Sequence, residues 1–302
     1  MDSDGSNVTK ITPRIRDLNV FNLKWSPDGS KITYDSKLRV SHQFCIWVID
    51  SDGYNRTQLT TVEDTYNSTW SPDGSKIAYV MSRASGKEIW ILDSDGSNKT
   101  RLMPQKRSAF EESFSYFHPT WNPNGTKIAF VTDRFSEYNY FDIAVLNLED
   151  NSVTTLTDTL PRYFRPYVVY EGYEHFYDPG IVMEGYERGN ESNPKWSPVG
   201  SKILFIGEND IHIWIMNSDS SDKILLVSSE YLGEFVFNPK WSPDGSKILF
   251  ERKYLGSWDI FVMTLSEAII PATTPSPSSV ATINISVTPT PTQPIPTPAT
   301  PS

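Results

Sequence analysis

Carboxylates, imidazoles and one thiol are the side chains of this chain that could do chemistry, so their spacing decides what to expect. Asp2-Ser3-Asp4-Gly5, Asp50-Ser51-Asp52-Gly53 and Asp93-Ser94-Asp95-Gly96 set two carboxylates two residues apart, as a calcium loop begins. A calcium loop also needs a glycine at its sixth position and a late bidentate glutamate. Here glycine comes fourth and no such glutamate follows, so these segments read as Asp-Gly hairpin turns. The four histidines, His42, His118, His175 and His212, lack zinc-ligand spacing. Cys45 is the only cysteine and lies in an apolar run, where a thiol acts as a small hydrophobe and no disulfide framework is possible. No Gly-x-Ser-x-Gly elbow offers a nucleophilic serine. Paired carboxylates such as Glu111-Glu112 are common in acidic loops, and nothing marks this pair for an acid/base role. No catalytic residue, metal or cofactor is expected.

The residues suited to recognition are more pointed. Residues 158–195 hold Tyr163, Phe164, Tyr167, Tyr170, Tyr173, Phe176, Tyr177 and Tyr186 beside Arg162, Arg165 and His175. Tyrosine and arginine together are typical of contact hot spots, and aromatic faces also stack on sugars. The candidate binding residues are therefore Arg162, Arg165, Tyr167, Tyr170, Tyr173, His175 and Tyr177, with Arg134 and Arg252 from other loops. A long loop that buries its own aromatics as a lid is the competing reading of the same segment.

What must position these residues is a repeat. One motif occurs five times, at Trp25, Trp70, Trp121, Trp196 and Trp241, with spacings of 45, 51, 75 and 45 residues. Its best copies are Trp70-Ser71-Pro72-Asp73-Gly74-Ser75-Lys76-Ile77-Ala78-Tyr79 and Trp241-Ser242-Pro243-Asp244-Gly245-Ser246-Lys247-Ile248-Leu249-Phe250. Proline presets φ and glycine permits a left-handed position, so each copy opens with a strand, a tight turn and a second strand. A nearly continuous apolar run follows, such as Ile46-Trp47-Val48-Ile49 or Ile213-Trp214-Ile215-Met216. A strand apolar on both faces must be covered on both, as in a small sheet packed between two neighbours. The Asp-Gly turn then leads to a short polar strand, Thr100-Arg101-Leu102 in the second copy. Four strands per repeat predict an all-β propeller of about five antiparallel blades over residues 1–267. Burial of each repeated tryptophan contributes about 2 kcal/mol, so five would rival the net stability of a domain.

The pattern Trp-Ser-Pro-Asp-Gly-x-x-Ile-x-Tyr/Phe together with Asp-x-Asp-Gly resembles the WD-repeat-like blades of TolB and of the propellers that gate prolyl oligopeptidase-type enzymes. The resemblance covers about residues 1–265 and implies the fold; the same blades serve many functions. Some propellers of this kind are lyases, so the resemblance leaves a polysaccharide-binding or polysaccharide-cleaving chain open, as it does a TolB-like periplasmic scaffold.

The copies differ on one side only. The Ser-Pro-Asp-Gly and Asp-x-Asp-Gly turns share one face, whereas 35–43, 82–87, 103–119, 133–141, 158–195, 228–238 and 251–258 share neither length nor sequence. Ten of the twelve arginines fall in these loops or at strand ends. Variable loops on a rigid scaffold are where binding resides, so this face is expected to engage a protein or polysaccharide ligand.

The ends complement each other. Asp2-Ser3-Asp4-Gly5 through Val8–Thr12 supplies the turn and outer strand that the last copy lacks after Met263, so the N-terminal strand is expected to close the ring on the fifth blade. Met1 as an internal methionine of a longer protein is equally compatible with this sequence. Residues 268–302 form a Pro/Thr/Ser-rich stretch; from Pro271 to Ser302 they include nine Pro and eight Thr, with neither charge nor aromatic, and read as a disordered stalk. Sequons at Asn7, Asn55, Asn67, Asn98, Asn124, Asn190 and Asn284 point to an extracellular or cell-surface glycoprotein, or to the periplasm of a diderm bacterium, although Met1–Gly5 has no signal-peptide character. A net charge of −10 argues against nucleic acid and anionic membranes. No run approaches the length of a bilayer span, and a monomer is expected.

Overall fold

The computed structural model describes residues 11, 18–38, 43–61, 64–83, 86–102, 114–134, 141–157, 191–207, 212–228, 234–266, 269 and 287–289. They form five antiparallel four-stranded sheets and no helix, as the repeat predicts. The first blade is β1 (Leu18–Trp25), β2 (Lys31–Leu38), β3 (Phe44–Asp50) and β4 (Thr57–Gln58). The second is β5 (Asp64–Trp70), β6 (Lys76–Arg83), β7 (Gly86–Asp93) and β8 (Thr100–Arg101). The third is β9 (Tyr116–Trp121), β10 (Lys127–Thr132), β11 (Asp142–Asn147) and β12 (Val153–Thr155). The fourth is β13 (Glu191–Trp196), β14 (Lys202–Gly207), β15 (His212–Asn217) and β16 (Ile224–Ser228). The fifth is β17 (Phe235–Trp241), β18 (Lys247–Tyr254), β19 (Ser257–Thr264) and β20 (Val287–Pro289). The first strands of neighbouring blades touch one another, so they line the axis and the fourth strands lie outermost.

The turn after each tryptophan builds itself. In the first blade Ser26 Oγ donates to Asp28 Oδ1 (2.6 Å) and accepts from Lys31 N (2.9 Å), while the other Asp28 oxygen accepts from Ser30 Oγ (2.8 Å). Gly29 takes a φ of 71°, which a side chain would resist. The same bonds recur at Ser71, Asp73 and Ser75 and at Ser242, Asp244 and Ser246. These serine hydroxyls hold Asp28, Asp73 and Asp244 down to about 2.

Blades are joined by the tryptophans. Trp70 Nε1 donates to the Lys24 carbonyl (3.3 Å), Trp121 to Thr69 (3.3 Å), Trp196 to Thr120 (3.2 Å) and Trp241 to Lys195 (3.2 Å), in each case a residue of the preceding blade. Around each indole the third strand of one blade packs on the second strand of the next. Ile46 and Val48 meet Trp70, Ile77 and Tyr79, and Ile143 and Val145 meet Trp196, Ile203 and Phe205.

Two sequence expectations change here. Four of the five repeated tryptophans serve as joints, but Trp25 is 61% exposed where Trp70 is 8%, because among the described residues no strand of the fifth blade touches a strand of the first. The outer strand of the fifth blade, expected from residues 8–12, is Val287–Pro289 paired with Phe261, Val262 and Met263. Two β-branched residues suit that edge, and a proline is tolerated where no further strand needs its N–H. Residues 8–10 and 12 lie outside the described residues. Ile11 packs on the first blade instead: a Cβ at Gly53 would stand 3.2 Å from it, just as one at Gly96 would stand 3.2 Å from Leu59. The fold thus draws Ile269 and β20 from the stretch expected to form only a stalk.

Unequal burial makes the tryptophans unequal in stability. Trp70→Ala and Trp196→Ala are expected to cost about 3–5 kcal/mol each in urea unfolding, and Trp25→Ala about 1 kcal/mol or less. Equal losses at all three would mean that Trp25 is covered in solution.

Candidate functional site

The axis of the ring is shaped by a bulge that the sequence announces only faintly. Three residues before each tryptophan the backbone turns left-handed: Asn22 (φ 47°), Asn67 (55°), His118 (49°), Asn193 (56°) and Asn238 (49°). The register of every first strand slips around that residue. Asparagine is among the few side chains that accept this conformation, so the recurrent Asn-x-x-Trp was a readable signal that the sequence reading passed over. His118 is the exception, and it is retained where asparagine would be easier.

Past the bulge, the residue before the tryptophan is lysine in three blades. Lys24, Lys195 and Lys240 lie close enough to act on one another. Burial, then Lys24 and Lys240, push Lys195 down to about 8. Burial, then Lys240, lower Lys24, with Asp35 working the other way. The side-chain ammonium groups of Lys195 and Lys240 make no hydrogen bond or ion pair among the described residues. In the third blade burial, then Lys195 and Lys87, hold His118 down to about 4, and its Nδ1 is buried without a partner.

Asp35 completes the group. It accepts from Asn67 N (2.7 Å), Ser68 Oγ (2.9 Å) and Asn22 Nδ2 (3.1 Å), yet burial outweighs these bonds and raises it to about 6. Its counterpart in the fifth blade, Glu251, accepts from Asn238 Nδ2 (3.2 Å). An acidic chain therefore places three ammonium groups, a neutral imidazole and two hydrogen-bonded carboxyls around its axis.

The strand ends opposite the Ser-Pro-Asp-Gly turns carry a second feature, a string of aromatic rings and cations. Phe44 lies 6.0 Å from Phe21 and 6.0 Å from Tyr66, ring centre to ring centre, with Lys37 Nζ 5.3 Å from its own ring. Lys87 Nζ sits 4.0 Å from the Phe117 ring and 5.9 Å from that of Tyr66, joining the second and third blades. Phe117 meets Phe141 edge-on at 5.2 Å. On the fifth blade Trp258 lies 5.0 Å from Phe237, with Lys253 at 5.3 Å.

Of the residues named from the sequence, Arg134 lies 5.8 Å from the Phe114 ring. Arg252 is paired with buried Glu234 and lies 5.9 Å from the Phe261 ring. Arg162, Arg165, Tyr167, Tyr170, Tyr173, His175 and Tyr177 lie outside the described residues. Cys45 is fully buried. The Asp-Gly turns at Asp50 and Asp93 are hairpins whose first carboxylates are already engaged, while that at Asp2 lies outside the described residues: Asp50 accepts from Lys31 Nζ (2.6 Å) and Asn55 Nδ2 (2.7 Å), and Asp93 from Lys76 Nζ (2.7 Å) and Asn98 Nδ2 (2.6 Å). Among the described residues no cluster of three His, Cys, Asp or Glu is placed to hold a metal ion, and no helix is long and apolar enough to cross a membrane.

Radial four-stranded sheets, first strands on the axis and indoles tying each blade to the one before, define a β-propeller with a cationic axis and an aromatic rim. Residues 1–174 match the family described as the TolB beta propeller domain, and the chain belongs to that family. Among solved structures it is similar to a TolB-type protein of Agrobacterium tumefaciens, at 18% identity and TM-score 0.58, covering 82% of this chain and 77% of that one. It is also similar to TolB of Acinetobacter baumannii, at 18% identity and TM-score 0.59, covering 87% of this chain and 55% of that one. An oligogalacturonate lyase in complex with manganese shares the fold at 18% identity and TM-score 0.56, covering 84% of this chain and 64% of that one. Comparison with curated proteins finds no match.

Two of the perturbed groups on the axis, His118 and Asp35, respond oppositely to pH. His118 is held below its unfolded value near 6.5, so its contribution is present above 6.5 and is lost as pH falls towards 4. Asp35 is held above its unfolded value, so its contribution is full below about 4 and is lost as pH rises through 6. His118→Asn restores the residue of the other blades and removes only the first effect. Relative to wild type it should gain on the order of 2 kcal/mol between pH 7.5 and pH 4.5 in urea unfolding. Parallel pH profiles for the two proteins would show that His118 is not buried as a neutral imidazole.

Proposed function

We propose that this chain acts by binding, without catalysis, and that it engages a protein or polymeric ligand through its variable-loop side, outside the cytoplasm. The observation that carries this reading is the string of rings and cations on that side. Side chains of Phe44, Tyr66, Phe117, Lys37 and Lys87 come from three different blades, yet they lie within contact of one another. Rings that bury apolar area while cations stay beside them suit a polymeric ligand with alternating apolar and polar groups. In the sequence between the third and fourth blades, residues 158–195, Tyr170 and Tyr173 are the proposed anchors. The sequons and the Pro/Thr-rich stretch support a place at the cell surface, and the TolB relationship supports the periplasm as the alternative.

A second reading has a specific observation in its favour. Three lysines on the axis suit an acidic polysaccharide, and one structural neighbour is an oligogalacturonate lyase. A TolB-like scaffold that holds other envelope proteins is the remaining form of the binding reading.

The test combines a glycan array, a turnover assay on oligogalacturonate and other acidic polysaccharides, and pull-down from envelope extracts. Tyr66→Ala with Lys87→Ala, and separately Tyr170→Ala with Tyr173→Ala, should weaken the captured ligand at least about tenfold while thermal stability stays within a few degrees. Product formation from any polysaccharide would overturn the non-catalytic reading. Binding untouched by both double variants would move the site off this face.

A further inference from the structure

The two ends of the arc are the two halves of one interface. In the joint between the first and second blades, Ile46 and Val48 of β3 are 0% and 6% exposed beneath Trp70, Ile77 and Tyr79. The residues in the same places on the fifth blade are Ile260 and Val262 of β19: Ile46 pairs with Asp35 as Ile260 pairs with Glu251, and Val48 pairs with Thr33 as Val262 pairs with Leu249. Ile260 is 61% exposed and Val262 39%. Leu249 and Trp258 widen the same open face.

The first blade shows the reciprocal half. Trp25 occupies the place of Trp70, and its indole has no preceding blade to bond; Phe21 and Leu23 stand exposed beside it. The outer margin of this half is already sealed, because Ile11 packs with Ile32, Tyr34 and Ile49. What stays open is the inner margin formed by Phe21, Leu23 and Trp25. The missing bond is specified as well: Trp241 reaches the carbonyl before Trp196, and by the same rule Trp25 would reach the carbonyl of Lys240, the residue before Trp241.

We infer that these faces bind each other between molecules, so that the fifth blade of one copy takes the first blade of a second copy as if it were the next blade of the ring. The occupant is set by what is present. The acceptor half and the donor half are both written in this chain, in the same places as the residues of its four internal joints, and among the described residues they do not meet within one molecule. The contact is head-to-tail, and a contact of that kind continues from copy to copy unless its rotation closes a ring. It joins sheet faces, not strand edges, so β20 keeps its place on β19. This surface meets the loop side proposed for ligand binding only at Phe21 and Trp258.

Sedimentation velocity of the whole chain over a hundredfold range of concentration tests the inference, together with Trp25→Asp and Ile260→Asp. Both replaced side chains are more than half exposed, so neither variant has a buried contact to lose. Wild type should pass from monomer to dimer and on to longer species as concentration rises. Each variant alone should stay monomeric where wild type associates. An equimolar mixture should give a dimer and stop there, because Trp25→Asp keeps its fifth-blade face and Ile260→Asp keeps its first-blade face. A wild type that is monomeric throughout, variants that associate like wild type, or a mixture that stays monomeric would each overturn it.

Discussion

The structure rests on one repeated contact, an indole N–H reaching back to the carbonyl of the residue before the tryptophan of the preceding blade. The bond is modest by itself, on the order of 1 kcal/mol net. Its force lies in what it fixes. A buried indole needs a partner for its N–H, and the acceptor it takes lies on the innermost strand of the neighbour, so burial of the ring helps to set the distance and the rotation between blades. The left-handed residue three positions earlier belongs to the same device, since the bulge brings that carbonyl into line. Four such contacts exist among the described residues, and the apolar clusters between blades form around them.

What could be read from the sequence follows from that contact. The tryptophan and its turn are local, and Ser-Pro-Asp-Gly carries its own hydrogen bonds, so blade number, strand order and turn type were legible without knowledge of any neighbour. The exposure of Trp25 was not, because it depends on whether a fifth blade stands behind the first, and no local pattern contains that. The outer strand of the fifth blade misled for a related reason. Val8–Thr12 matches the repeat, whereas Val287–Pro289 does not, and an open edge accepts any extended segment with suitable residues that can reach it. Asn-x-x-Trp was visible but weak, since one copy substitutes histidine. The candidate residues of 158–190 were chosen by composition, and composition identifies a contact surface without giving it a shape.

Electrostatics divides the molecule in a way the net charge conceals. The turns of the repeated face carry aspartates, Asp28, Asp50, Asp73, Asp93 and Asp244 among them, that serine hydroxyls, asparagines and lysines hold ionised and engaged. The axis has the opposite sign. Burial, then Lys24 and Lys240, lower the affinity of Lys195 for its proton, and burial, then Lys240, lower that of Lys24. A cation in that setting gains from any anion that can follow the axis inwards. An overall charge of −10 is therefore compatible with an anionic ligand on the axis, although it disfavours one anywhere else.

Closure of the ring and recognition by its loops are separable properties. Each blade packs only on its neighbours, so stability is close to a sum of blade terms and joint terms, as in other repeat arrays. Four complete joints hold five blades without a fifth joint, and the unfilled one leaves its cost at the two end faces alone. Those faces lie around Trp25 and Ile260, whereas the ring-and-cation string runs through Phe44, Tyr66, Lys87 and Phe117 in the first three blades, whose joints are complete. A change in how the ends are covered would reach the string only through Phe21, its terminal member, which lies on both. Phe21, and Trp258 on the fifth blade, are thus the described side chains through which occupancy of the end faces could be felt at the rim.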